Sequence, residues 1–201
     1  MLTIKVFVVF LQAEAAEINR TGHEVLECVG GQVSLEMQLP KLLWLKRHAA
    51  ASCWARARHF FDLPDWLTYR ATTCGTASTP SRSLCSLVCK WNYWVRPSGN
   101  VVGWDREFFS AAGLGDLAAE DWARIGGEGG TVVQCPGSAV GPGLSAAAAA
   151  ELGGLAAGTP VGTSLIDAHA GMLGMLPAAG SEPLEGRLGT KQQREKMKEN
   201  W

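Results

Sequence analysis

The sequence predicts an α/β fold in which helices pack on a sheet. Three observations carry that expectation. Helix-type segments are bounded by capping residues and glycines, apolar strand-type runs occupy 84–94 and 159–166, and the two kinds alternate through loops without any internal repeat. At 201 residues the chain has the length of one domain and can bury a core of its own. Twenty-four glycines, nine prolines and eight tryptophans describe a turn-rich globular protein with bulky aromatic anchors, not a coiled coil or a fibre.

Taken in order, residues 1–11 stand apart. Six apolar residues, Val6 to Leu11, follow Lys5, too few for the ~7–15 of a signal sequence or the ~20 of a membrane span. They read as a strand or a leader. From Ala13 to Val29 the apolar spacing predicts one helix, stopped by Gly30-Gly31. Residues 34–39 form a loop, and Pro40 opens a second helix that turns Leu42, Leu43 and Leu45 inward and ends on Lys46-Arg47-His48. A third helical stretch covers 52–59, and Asp62 caps a helix entered through Pro64. A Thr/Ser/Gly/Pro loop at 71–83 precedes the run Leu84–Trp94, interrupted only by Ser86, Lys90 and Asn92 and read as a strand. Asp105 caps a helix ended by Gly113, Leu114–Ile125 gives a further short helical piece, and 126–143 is a glycine-rich connection. Ser145 caps an alanine helix ended by Gly153, and Thr159–Ile166 is a strand running straight into Asp167. Residues 190–201 are a charged, solvated tail, expected to be disordered.

Charge and cysteine usage narrow the partners. Eighteen Lys and Arg against nineteen Asp and Glu leave a net charge of −1, which provides no field for nucleic acid or an anionic membrane. The six cysteines at 28, 53, 74, 85, 89 and 135 are too sparse for a disulfide scaffold. They read as buried thiols in a reducing, cytoplasmic compartment. Cys85 and Cys89 lie four apart, and no second pair or suitably spaced histidine completes a zinc set. His23-Glu24 opens as a zinc-protease helix would, but Glu27 stands where the second histidine belongs.

The strongest local constellation is Asp167-Ala168-His169-Ala170-Gly171, a carboxylate at the end of an apolar strand followed by small residues. Open α/β sheets bind ligands there. The residues alone leave Asp167 either a cap for the next turn or a catalytic base, and His169 either structural or catalytic. Lys90 interrupts its apolar run, so it faces a polar cavity or snorkels at a strand edge. No phosphate-binding loop is recognisable. Gly186 to Lys191 has the order Gly-Thr-Lys, and Gly127-Glu128-Gly129 lacks the strand and spacing of a dinucleotide loop.

Five segments in register carry a family resemblance: 18–23 (Ile-Asn-Arg-Thr-Gly-His), 34–46 (Ser-Leu-Glu-Met-Gln-Leu-Pro-Lys-Leu-Leu-Trp-Leu-Lys), 59–65 (His-Phe-Phe-Asp-Leu-Pro-Asp), 82–91 (Arg-Ser-Leu-Cys-Ser-Leu-Val-Cys-Lys-Trp) and 164–171 (Ser-Leu-Ile-Asp-Ala-His-Ala-Gly). They resemble the FGGY carbohydrate kinase family in its ribulokinase-like branch, with the likeness running from about 12 to 189. The resemblance implies a partial first lobe of an actin-like (ribonuclease H-like) ATPase fold, with helices on a mixed sheet. It implies transfer of the ATP γ-phosphoryl group to a hydroxyl of a ketopentose or polyol such as D-ribulose, with ATP and Mg2+ serving the complete enzyme. Asp167 falls at the family's catalytic base and Lys90 at a substrate-contacting lysine, with Ala168 and His169 beside the sugar. A small sugar or polyol is then the expected partner. The family's Asp-x-Gly-Thr and Gly-Thr-Ser-Thr phosphate loops have no counterpart here, so no residue is expected to hold nucleotide or metal. The alternatives are a non-catalytic sugar-binding or kinase-interacting fragment and an unstable remnant.

Overall fold

A computed structural model of the chain describes residues 8–73, 80–96, 98–127 and 132–176. Residues 1–7 of the leader at 1–11, Cys74, part of each glycine-rich loop and the tail at 190–201 lie outside the described residues. The chain divides between Leu165 and Ile166 into two compact units.

In the first unit a 3-10 turn at Val8–Leu11 leads into α1 (Gln12–Asn19), which packs on α2 (Gln38–His48). The expected single helix from Ala13 to Val29 is interrupted. The amide of Asn19 pairs with the backbone of Val33, accepting from its N–H at 2.8 Å and donating to its carbonyl at 3.2 Å. Thr21 Oγ1 donates to the Ile18 carbonyl at 2.7 Å, and a new 3-10 turn, Glu24–Val29, starts where the Val25 N–H donates to His23 Nδ1. Side chains competing for backbone groups end the helix early. The stop at Gly30 stands, because its φ of +80° closes the turn in a conformation glycine adopts without strain.

The stretch 52–59 forms only a 3-10 turn at Trp54–Arg56. Trp54 is drawn into the core instead, stacked on Phe60 at 5.0 Å with its indole N–H donating to Asp116 at 3.0 Å. Then come α3 (Leu63–Thr73), β1 (Arg82–Ser83) and α4 (Leu84–Trp91). The segment read as a strand is α4, a helix. Leu84, Leu87, Val88 and Trp91 recur at i, i+3, i+4 and i+7 and bury one face. Ser83 Oγ accepts from the Ser86 N–H, and Asn92 in the left-handed region (φ 58°) closes the end.

β2 (Trp94–Val95) and β3 (Val101–Gly103) form an antiparallel pair, and α5 (Arg106–Ala111) packs on α6 (Gly115–Ala119). Asp105 caps α5 as expected, accepting from the Phe108 N–H at 2.7 Å. The piece read as helical to Ile125 stops at α6 because Asp121 and Trp122 both take positive φ, 52° and 60°. That strain, of order 1–3 kcal/mol per residue, sets the Trp122 ring into the core against Phe109 (4.9 Å) and Trp104 (5.6 Å). Gly127 must be glycine, since a Cβ there would lie 2.7 Å from Trp104 Nε1.

β4 (Val133–Gln134) pairs parallel to β1. Among the described residues the expected mixed sheet is therefore two small two-stranded sheets, one parallel and one antiparallel. α7 (Ala146–Leu152) has its Ser145 cap and its Gly153 stop. Residues 159–163 run antiparallel to 137–144, with the Val140 N–H donating to the Val161 carbonyl and the Thr163 N–H to Ser138, but they form one isolated bridge, not a sheet strand. Pro160 has no N–H to offer a ladder. Asp167 therefore does not sit at the end of a sheet strand. It opens α8 (Asp167–Met175), in the second unit.

Candidate functional site

The buried polar centre of the first unit is organised by Asp65, on α3. Its Oδ2 accepts from Arg82 Nε at 2.7 Å, and its Oδ1 accepts from the Ser83 N–H at 3.1 Å and from Ser164 Oγ at 2.8 Å. Ser83 Oγ in turn donates to the Ser164 carbonyl at 2.7 Å. One carboxylate thus fixes α3, β1 and the chain at Ser164, three residues before Asp167. Arg82 is fully buried; it also donates to the carbonyls of Phe60 (3.3 Å) and Ile125, and lies over the Trp91 ring at 4.8 Å. An arginine this deep is tolerated because charge, hydrogen bonds and an aromatic face all meet it. Sequence reading passed over Asp65 and Arg82, although a charged residue in each of two apolar motifs was the available signal.

Asp62 directly precedes α3, at the position where the sequence expected a cap. It accepts from Ser86 Oγ on α4. Burial, reinforced by the nearby Asp65 charge and offset by Arg82, pushes the Asp62 carboxyl up to about 6.

Lys90 occupies the last turn of α4, not a strand. It is largely covered, and its Nζ lies 3.1 Å from Glu36 Oε1, in the loop before α2. Lys41 of α2 donates to the Glu36 carbonyl. Burial holds the Lys41 ammonium below the usual lysine range, as does the like charge of Lys90, against the opposing pull of Glu36 and Asp62. Two cations therefore converge on Glu36. Neither Glu36 nor Lys41 was singled out by the sequence.

In the second unit Asp167 is the first residue of α8 and is exposed. The N-cap position belongs to Ile166, so Asp167 is not the capping residue; the positive helix end still favours its charge. Ala168 is exposed and His169 half-buried, both in the first turn.

Cys28, Cys53, Cys85 and Cys89 are half-buried and Cys135 is exposed, where the sequence suggested buried thiols. A cavity of about 230 Å³ opens between α3 and β4, lined by Thr68, Tyr69, Thr72 and Gln134 among others and by none of the expected site residues. No helix among the described residues is long and apolar enough to cross a membrane.

No protein-family model matches the chain. Among curated proteins it is 54% identical over 166 residues to an FGGY carbohydrate kinase domain-containing protein of Danio rerio, a match covering 83% of this chain and 28% of the relative. The Homo sapiens protein of the same name is 47% identical over 166 residues, again 83% of this chain and 27% of the relative. A D-ribulokinase of Saccharomyces cerevisiae is 38% identical over 177 residues, 86% of this chain and 24% of that protein. The chain spans about a quarter of the length of the curated relatives it matches, and over that span it belongs to the FGGY carbohydrate kinase family.

Proposed function

We propose that this chain forms the sugar-side portion of a carbohydrate kinase of the D-ribulose type, in the first lobe of an actin-like ATPase fold in the cytoplasm. The observation that carries the reading is the 38–54% identity to relatives that include a D-ribulokinase. The hydrogen bonds that tie three of the five family-like segments, 59–65, 82–91 and 164–171, to one carboxylate support it. In this reading Asp167 accepts the proton of the attacking sugar hydroxyl, and Lys90, steered by Glu36, binds the sugar with Ala168 and His169 alongside. Phosphoryl transfer asks the protein mainly to position reactants and stabilise charge. ATP and Mg2+ are a different matter. The sequence carries no recognisable phosphate loop. No residue of this chain is assigned to hold them.

Purified chain is accordingly expected to consume no ATP in response to D-ribulose or D-ribitol; sugar-dependent consumption above a mock-purified control overturns that expectation. The base is tested in a chimaera in which this chain replaces the matching stretch of the Danio rerio relative. Asp167→Asn keeps the size of the side chain and removes its basicity, so kcat should fall about 10²–10⁴-fold with Tm unchanged. Lys90→Met should raise KM for the sugar more than it lowers kcat. A kcat within a few-fold of wild type for Asp167→Asn refutes its role.

A further inference from the structure

Cys85 and Cys89 face the same side of α4, one turn apart, and both are half-buried. Their Sγ atoms lie within 4.8 Å of each other. Helical positions i and i+4 hold their Cβ atoms about 5–6 Å apart, whereas a disulfide needs about 3.5–4.5 Å. A direct S–S bond would therefore require α4 to unwind, and α4 is held by the buried Leu87 and Trp91 and by caps at both ends. A single atom placed between the sulfurs removes the conflict. Two bonds of about 2.3 Å to sulfur, as at a metal centre, span sulfurs nearly 4 Å apart at a tetrahedral angle, within reach of a small χ1 adjustment.

The protonation state narrows the class of bridging atom. Burial, reinforced by the neighbouring Cys85 thiol, pushes the Cys89 thiol up to about 11. A divalent cation binds thiolates and must expel the Cys89 proton against that tendency. A trivalent arsenical carrying two hydroxyls reacts with thiols as they stand. Each As–OH and S–H are replaced by one As–S bond and one water, arsenic remains trivalent, and no oxidant or reductant is consumed.

We propose that Cys85 and Cys89 form a dithiol modification site on α4 that takes one trivalent arsenical through a one-atom bridge. Cys28, Cys53 and Cys135 lie on other elements of the fold, in the 3-10 turn after α1, before Trp54 and after β4. The bridge closes directly beside Lys90, so a loaded site also stiffens the turn that carries the Lys90–Glu36 pair.

The test treats the purified full chain with phenylarsine oxide and reads intact mass under native conditions, followed by tryptic mapping. Cleavage after Arg82 and Lys90 releases both thiols in the single peptide 83–90. One phenylarsenic per chain is expected on that peptide, removed by 2,3-dimercaptopropanol but retained against glutathione at equal thiol concentration. Apparent affinity should fall at least about tenfold in both Cys85→Ser and Cys89→Ser, the loss of one of two bonds, and stay unchanged in Cys28→Ser. The helical circular dichroism should persist on loading. An adduct mapped elsewhere, undiminished loading in either serine variant, or ready formation of a Cys85–Cys89 disulfide by diamide with helicity retained would overturn the assignment. The wild-type mapping decides the matter even if a variant fails to fold.

Discussion

α4 and α8 are nearly the same length and carry the two charged residues singled out from the sequence, Lys90 and Asp167, yet they are held in opposite ways. α4 buries Ser86, Leu87 and Trp91, with Ser83 at its head and Asn92 at its foot. α8 buries none of its residues; Met172, Leu173, Met175 and the following Leu176 are all exposed, and its N-cap, Ile166, offers no side-chain hydrogen bond. Helices this short are marginal in water on propensity alone. Packing therefore stabilises the helix of Lys90, while the helix of Asp167 presents apolar side chains that lack that support. Lys90 therefore stands on a well-supported helix and Asp167 on a weakly supported one.

Several measurements would sharpen or break that contrast. The largest effect is expected from Arg82→Met, which strands Asp65 as a buried charge at the head of α4 and should cost about 3–5 kcal/mol in urea unfolding. A loss under 1 kcal/mol would mean that Asp65 finds solvent or its other donors suffice. Leu87→Ala should cost about 2–5 kcal/mol, whereas Leu173→Ala on α8 should stay within about 0.5 kcal/mol. If the two losses are equal, α8 is buried in solution and the comparison fails.

The pH dependence comes next. The folded carboxyl of Asp62, at about 6, lies above its ordinary 3.8, so the native state binds the extra proton between those values. Its contribution to stability is full below pH 3.8 and is lost as pH rises through 6, on the order of 3 kcal/mol for a shift of about two units. Asp62→Asn should therefore raise the unfolding midpoint at pH 8, leave it unchanged at pH 4 and flatten the profile between; an unchanged profile excludes Asp62 as its source. Ser83→Ala, which removes the α4 cap and the bond to Ser164, should cost about 1–2 kcal/mol. A smaller loss would show that water takes over the Ser83 hydrogen bonds.

The sequence by itself determined the local punctuation and the family. Asp105, Ser145, Gly30, Gly113 and Gly153 start or stop their elements where side-chain capping and positive φ predict, because those effects act over three or four residues. The five segments, with their types and order, placed the chain among the FGGY carbohydrate kinases, since identity is carried by residues and not by packing. Only the tertiary structure decided that Leu84–Trp91 is a helix, since a short apolar run serves either period until Leu87 and Trp91 find a core to enter. It also decided that Asp121 and Trp122 break a helix to seat an indole, and that Ser164 is tied to Asp65, 99 residues away along the chain. Long-range pairings of this kind depend on which surfaces meet after collapse, and no local pattern encodes them.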